Sequence, residues 1–173
     1  MTLLEHVDAR LVEGGVLHAL IGATALAAHG ICRSTIDHDL LVTDSRVLDP
    51  AFWEPLPPTS TVDVRIGDDD DPLAGAVRLR QVGERDVDVM IGRHAWQDDV
   101  LARAVLMRGE GLPIAEAADL VLLKLYAGGS QDRWDIEQVL ALASGAEIAR
   151  KVEERAVVLP ARSRKLWLTL RPR

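Results

Sequence analysis

The chain has 173 residues, of which 48% are hydrophobic and 27% charged, the balance of a globular protein with one sizeable core rather than of a disordered chain. A formal net charge of −7 argues against a protein that coats nucleic acid through bulk charge. The longest weakly polar run, Val16 to Ile31, is broken by His18, Thr24 and His29 and falls short of the roughly 20 apolar residues a membrane helix needs, so no membrane span is expected.

Glu5, His6 and Asp8 stand in the first turns, which is not the basic-then-apolar layout of a secretory signal. A lone cysteine, Cys32, cannot form an internal disulfide, and this agrees with a reducing cytoplasmic location. Charge is unevenly spread. Asp68 to Asp71 form an acidic run, whereas Arg150, Lys151, Arg155, Arg162, Arg164, Lys165, Arg171 and Arg173 crowd the last quarter. Each run reads first as a solvated surface, and the basic one also as a tail able to touch phosphates or an acidic partner.

In chain order, Leu3 to Val12 has helical apolar spacing, and Leu17 to Ile21 reads as a short buried strand or a lead-in to a helix. Ala23 to His29, rich in alanine and leucine, predicts a helix ending at Gly30. Asp37 to Val42 starts polar and finishes Leu-Leu-Val, as a strand entering a core does. Val62 to Ile66, Val77 to Leu79 and Val87 to Ile91 alternate as half-buried strands, with Gly83-Glu84 as a turn between the last two. After Gly92 the period becomes helical, over Trp96 to Ala104 and Ala115 to Ala127. Gly128-Gly129 ends the second of these, Ser130 is the expected N-cap of the next, and that helix runs from Gln131 to Ala143. Helices are also expected over 146–155 and 162–170. The whole predicts an α+β fold, a small mixed sheet flanked by helices with a helical C-terminal part. Residues 1–145 form the main unit, and 146–173 form a basic helical extension of the same domain.

The candidate chemistry lies in the carboxylates. Residues two apart in a strand share a face about 7 Å apart, so Asp37 and Asp39 project together and His38 points the other way. Two aligned carboxylates beside an apolar strand need a solvated strand end or a neutralising cation. Mg²⁺ suits them, since it takes hard oxygen ligands and binds few protein carboxylates together with phosphate oxygens.

The segment "LIGATALAAHGICRSTIDHDLLV" resembles the signature of the nucleotidyltransferase superfamily, a glycine turn opening a helix and then an Asp-x-Asp strand. The glycine is Gly22, and thirteen residues separate Ala23 from Asp37. "RDVDVMIG" resembles the strand that supplies the family's third carboxylate, which falls on Asp88, with Asp86 and then Asp63 as alternatives. "DLVLLKLYAGGSQDRWDIEQVLAL" resembles the lysine helix and the following Asp-x-x-Asp helix of bacterial minimal nucleotidyltransferases, including AbiEii-type toxins.

The resemblance implies a polymerase beta-like nucleotidyltransferase fold and two Mg²⁺ ions on Asp37, Asp39 and Asp88, the catalytic trio. It also implies an NTP as substrate, with Gly22 and Ala23 beside the phosphates. Lys124 would neutralise the triphosphate, Asp132 and Asp135 would line the cleft, and Arg33 would contact phosphate or pair with Asp37 or Asp39. An RNA such as a tRNA end, a protein or a small-molecule hydroxyl would be the acceptor, and a cognate antitoxin the partner. Two departures stand out. Ala23 replaces a second glycine or serine, and His38 replaces an apolar residue and is expected to be structural. Both make room for an alternative, a catalytically impaired nucleotide-binding or partner-binding module of the same fold.

Overall fold

The computed structural model describes residues 1–32, 37–107 and 111–172. Among them are seven α-helices and a seven-stranded sheet. Helix α1 (Leu3–Glu13) opens with a capping box, the Thr2 hydroxyl accepting from the Glu5 N–H while the Glu5 carboxylate accepts from the Thr2 N–H. Its Leu3, Val7 and Leu11, one turn apart, are fully buried. Strand β1 (His18–Ile21) leads directly into α2 (Gly22–Ala28), and β2 (Asp37–Val42) returns antiparallel to β1. Two short 3₁₀ turns follow, Ser45–Leu48 and Pro50–Trp53, the second seating Trp53 in the core.

Strands β3 (Ser60–Ile66) and β4 (Gly75–Gln81) pair antiparallel, and β5 (Asp86–Ile91) runs antiparallel to β4 and parallel to β2. Gly83, at φ +83°, makes the turn between β4 and β5. Helix α3 (Ala95–Arg103) precedes two two-residue strands, β6 (Val105–Leu106) and β7 (Pro113–Ile114). The latter joins β1 in parallel, so the sheet order is β3-β4-β5-β2-β1-β7-β6. The helices α4 (Ala117–Ala127), α5 (Ser130–Leu140), α6 (Gly145–Arg155) and α7 (Ala161–Leu170) complete the chain.

The register sorts the side chains into two faces. Val64, Val77, Val89, Leu40 and Leu20 form one cross-strand row, and this apolar face lies under α1 and α2. The other face carries the charges, and its Leu41 and Met90 end lines a cavity together with residues of α4. Helices α6 and α7 pack on α4, so the last residues share the helical layer of the main fold.

Several boundaries differ from expectation. Strand β4 is longer than the alternation in Val77 to Leu79 indicates, and β6 and β7 are too short to show any period. Helix α5 begins at Ser130 rather than after it, its N-cap being Gly129, whose N–H donates to the Asp132 carboxylate at 2.9 Å, the N3-to-N-cap half of a capping box. No helix among the described residues is long and apolar enough to cross a membrane.

Candidate active site

Strands β2 and β5 run in parallel register with Asp37 opposite Asp86 and Asp39 opposite Asp88. Their polar ends emerge together because the apolar second halves, Leu40 to Val42 and Val89 to Ile91, are drawn into the core. Asp37, Asp39 and Asp88 each offer one carboxylate oxygen within 4.8 Å of the other two. Asp86 lies beside Asp37 but is bound by Arg80, Nε to Oδ2 at 3.2 Å. Asp63 lies on β3, separated from Asp88 by β4, and is exposed. Of the three candidates for the third position, the sheet brings both Asp86 and Asp88 to the Asp-x-Asp pair, and Asp88 is the one whose oxygen groups with both of its carboxylates.

Gly22 serves this cluster by what it lacks. It sits at φ +62°, and a Cβ there would overlap the Asp39 carboxylate. The glycine therefore permits both the left-handed turn into α2 and the close approach of Asp39. Ala23 is buried behind it.

Asp88 is not vacant. The Arg78 guanidinium on β4 donates Nε to Oδ1 at 2.6 Å and Nη2 to Oδ2 at 2.5 Å, a bidentate pair. That hydrogen bonding and the Asp88 charge raise the Arg78 pKa above its ordinary value, so the guanidinium stays charged. His38 points to the opposite face and meets α2, its Nδ1 3.1 Å from the Thr24 hydroxyl. Burial first, and Arg85 second, lower its pKa against the pull of Asp37. A structural histidine was expected there, and its side chain meets α2.

Beside the carboxylates opens a cavity of about 310 Å³, with Gly22 and Asp39 on the sheet side and Lys124 and Asp132 on the helical side. Leu41, Met90, Leu120, Leu123 and Tyr126 make its apolar lining. Lys124 Nζ lies 2.5 Å from Asp135 Oδ2 and 3.1 Å from Asp132 Oδ1. The i, i+3 spacing of the two aspartates puts both on the α5 face that meets α4. Asp135 is fully buried and does not line the cavity, so its position is behind the lysine rather than in the cleft. Arg33 lies outside the described residues.

Two residues of the site were not picked out from the sequence. Arg78 is one. Gln97 is the other, a buried α3 side chain whose Oε1 accepts from the backbone N–H of both Arg93 and His94 at 2.9 Å while the side chain lines the cavity. The Arg-x-Arg alternation of Arg78 and Arg80 was a usable signal, since it matches the period of the aspartates on β5. Nothing in the sequence marks Gln97.

The basic C-terminal stretch is largely paired within the protein. Arg150 meets Glu154, Lys151 meets Glu116 and Glu147, Arg155 meets Glu116 and Asp119, and Arg171 meets Glu153. Arg162 donates to the Tyr126 carbonyl.

No family model matches the sequence, and no curated protein matches it. Solved structures do resemble the fold. A Helicobacter pylori protein described as a nucleotidyltransferase superposes with a TM-score of 0.55 at 17% identity, over 95% of this chain and 84% of that one. JHP933 from Helicobacter pylori gives 0.52 at 16%, over 97% and 90%. ANT(2″)-Ia, in complex with adenylyl-2″-tobramycin, gives 0.50 at 14%, over 97% and 94%. With a mixed sheet in this order, helices on both sides and neighbours of this kind, the chain has the nucleotidyltransferase fold.

Proposed function

We propose that the protein transfers a nucleotidyl group from an NTP to a hydroxyl acceptor. The observation that carries this reading is the trio Asp37, Asp39 and Asp88, three oxygen donors within 4.8 Å of one another beside a cavity that also exposes Gly22 and Lys124. Hard carboxylate oxygens in that number fit Mg²⁺, two ions in the reading from sequence, with room for phosphate oxygens to finish the shell. When bound, such ions neutralise charge on the attacking and departing oxygens of an in-line displacement. In that displacement the acceptor oxygen bonds to the α-phosphorus, the bond to the bridging oxygen breaks, and pyrophosphate leaves with the electron pair.

The chain's own residues do the positioning. Gly22 lets Asp39 stand close to the turn where the triphosphate would lie beside Ala23. Asp88 would help hold the ion and activate the acceptor hydroxyl. Lys124, on the facing wall, would meet the negative charge of the phosphates after releasing part of its hold on Asp132. The apolar lining suits the nucleoside.

AbiEii-type membership, a tRNA or other RNA acceptor and a cognate antitoxin rest on the sequence resemblance alone, and pairing of the C-terminal bases within the fold removes one argument for RNA. A small-molecule acceptor belongs in the test too, given the adenylylated product in one structural neighbour. The test is incubation with each labelled NTP, Mg²⁺, total RNA, cell protein and a panel of small hydroxyl compounds. Label passing to one acceptor class, and lost in Asp39→Asn, supports the reading. Label that survives Asp39→Asn, or none with any acceptor, defeats it.

A second reading, a module that binds NTP without turning it over, is favoured by the double engagement of Lys124 and by Ala23. It is distinguished by Mg²⁺-dependent NTP binding with no pyrophosphate release.

A further inference from the structure

Four charged residues stand in one cross-strand row: Asp63 on β3, Arg78 on β4, Asp88 on β5 and Asp39 on β2. Each faces its neighbour directly, so all four project from the same side of the sheet. Arg78 holds both oxygens of Asp88, leaving Asp63 opposite it on the outer side. The Arg78 side chain is 44% exposed while that of Asp88 is 11% exposed, so the arginine has a solvated path outward and the carboxylate does not. In the adjoining row Arg80 reaches Asp86 through a single contact, Nε to Oδ2, beside Asp37.

We propose that Arg78 is a displaceable counter-ion for Asp88, which weakens cation binding in the nucleotide-free protein and swings across to Asp63 when Asp88 takes up a metal. The proposal rests on the reading of Asp37, Asp39 and Asp88 as cation ligands. A carboxylate oxygen has lone pairs beyond those a bidentate arginine uses, so occupancy by Arg78 does not by itself fill Asp88. What excludes the ion is charge. A guanidinium bound to the same carboxylate repels a divalent cation at close range, and only partial solvent exposure softens that repulsion. Asp63, directly opposite on β3, offers the arginine a carboxylate of its own without a change of strand position. A nucleotide triphosphate, bringing negative charge to the site, shifts the balance toward the metal. Loading of cation and nucleotide is thereby coupled through one side chain.

A simple positioning role makes the opposite forecast, since removing a residue that holds Asp88 in place would weaken the metal site. The experiment is a Mn²⁺ titration of the full chain without nucleotide, read by the electron paramagnetic resonance of free Mn²⁺, with circular dichroism melts to verify folding. Arg78→Gln is expected to bind Mn²⁺ about tenfold more tightly than the wild type, the order of a charge-assisted hydrogen bond lost to the competitor. Arg78→Lys, which keeps the charge but not the fork, falls between the two. Asp63→Asn, which removes the landing place, binds several-fold more weakly. Unchanged or weaker binding by Arg78→Gln, with Asp39→Asn still abolishing the signal, overturns the proposal and leaves the reading of the carboxylates intact. Mn²⁺ binding that Asp39→Asn does not affect, or no binding by any of these proteins, removes that reading and the proposal with it.

Discussion

The two walls of the cleft handle charge differently. On the sheet wall Arg78 and Arg80 meet Asp88 and Asp86 with arginine side chains 44% and 45% exposed, so water shares the load and partners can be exchanged. On the helical wall Lys124 is 10% exposed and Asp135 fully buried, so that pair is held out of water and binds α4 to α5. Solvated pairs contribute little to stability and are cheap to rearrange, whereas breaking a buried one strands a charge in a poor solvent. The sheet wall is thus suited to chemistry and the helical wall to holding the fold, although both were read from the sequence as parts of one binding site.

The sharpest way to break this contrast is to neutralise aspartates on both walls. Asp39→Asn is expected to lower nucleotidyl transfer at least about a hundredfold, while Asp88→Asn, which leaves a partly solvated Arg78 behind, costs less stability than the change on the helical wall. Asp135→Asn is expected to cost about 3 kcal/mol in urea unfolding, because Lys124 keeps only Asp132. Equal stability losses on both walls would erase the distinction. Gly22→Ala comes next. Its positive φ and the overlap with Asp39 are expected to cost about 1–2 kcal/mol and to weaken Mn²⁺ binding as Asp39 moves aside.

The smallest effect lies on the rear of the helical wall. Burial pushes the Glu116 carboxyl up, but Arg155 and Lys151 outweigh it and hold the group below the ordinary glutamate value of 4.5. A carboxylate depressed in the folded state contributes stability above the unfolded value, and that contribution is lost as pH falls through the lower folded one. Acid unfolding curves of Glu116→Gln should therefore be shallower below pH 4.5 than those of the wild type and unchanged in slope above it. A difference in slope confined to neutral pH would count against this account.

How much of this was legible depends on the range of each signal. The Gly22 turn, α2 and the Asp-x-Asp strand are contiguous in sequence, and a period of two was enough to put Asp37 and Asp39 on one face. Asp88 was reachable because β5 shows its own alternation. The pairing of Arg78 with Asp88 was not, since it needs the register of β4 against β5, and a slip of one residue would turn every side chain to the other face. Strands β6 and β7 escaped for a different reason, two residues being too few to display a period. Lys124 and the Asp-x-x-Asp pair were located on the correct helices, but burial set Asp135 behind the lysine rather than in the cleft, and burial is what a linear pattern reports least well.

Strand β7 has one more effect. Leu20 pairs with Ile114, the Ala115 N–H donates to the Leu20 carbonyl at 3.1 Å, and His29 Nε2 donates to the Ala115 carbonyl at 2.9 Å. The root of α4 is therefore tied by a backbone hydrogen bond to the strand that leads into the Gly22 turn, and by a histidine side chain to the far end of α2. Through β7 the root of α4, and with it the wall that bears Lys124, shares one hydrogen-bonded frame with Asp39.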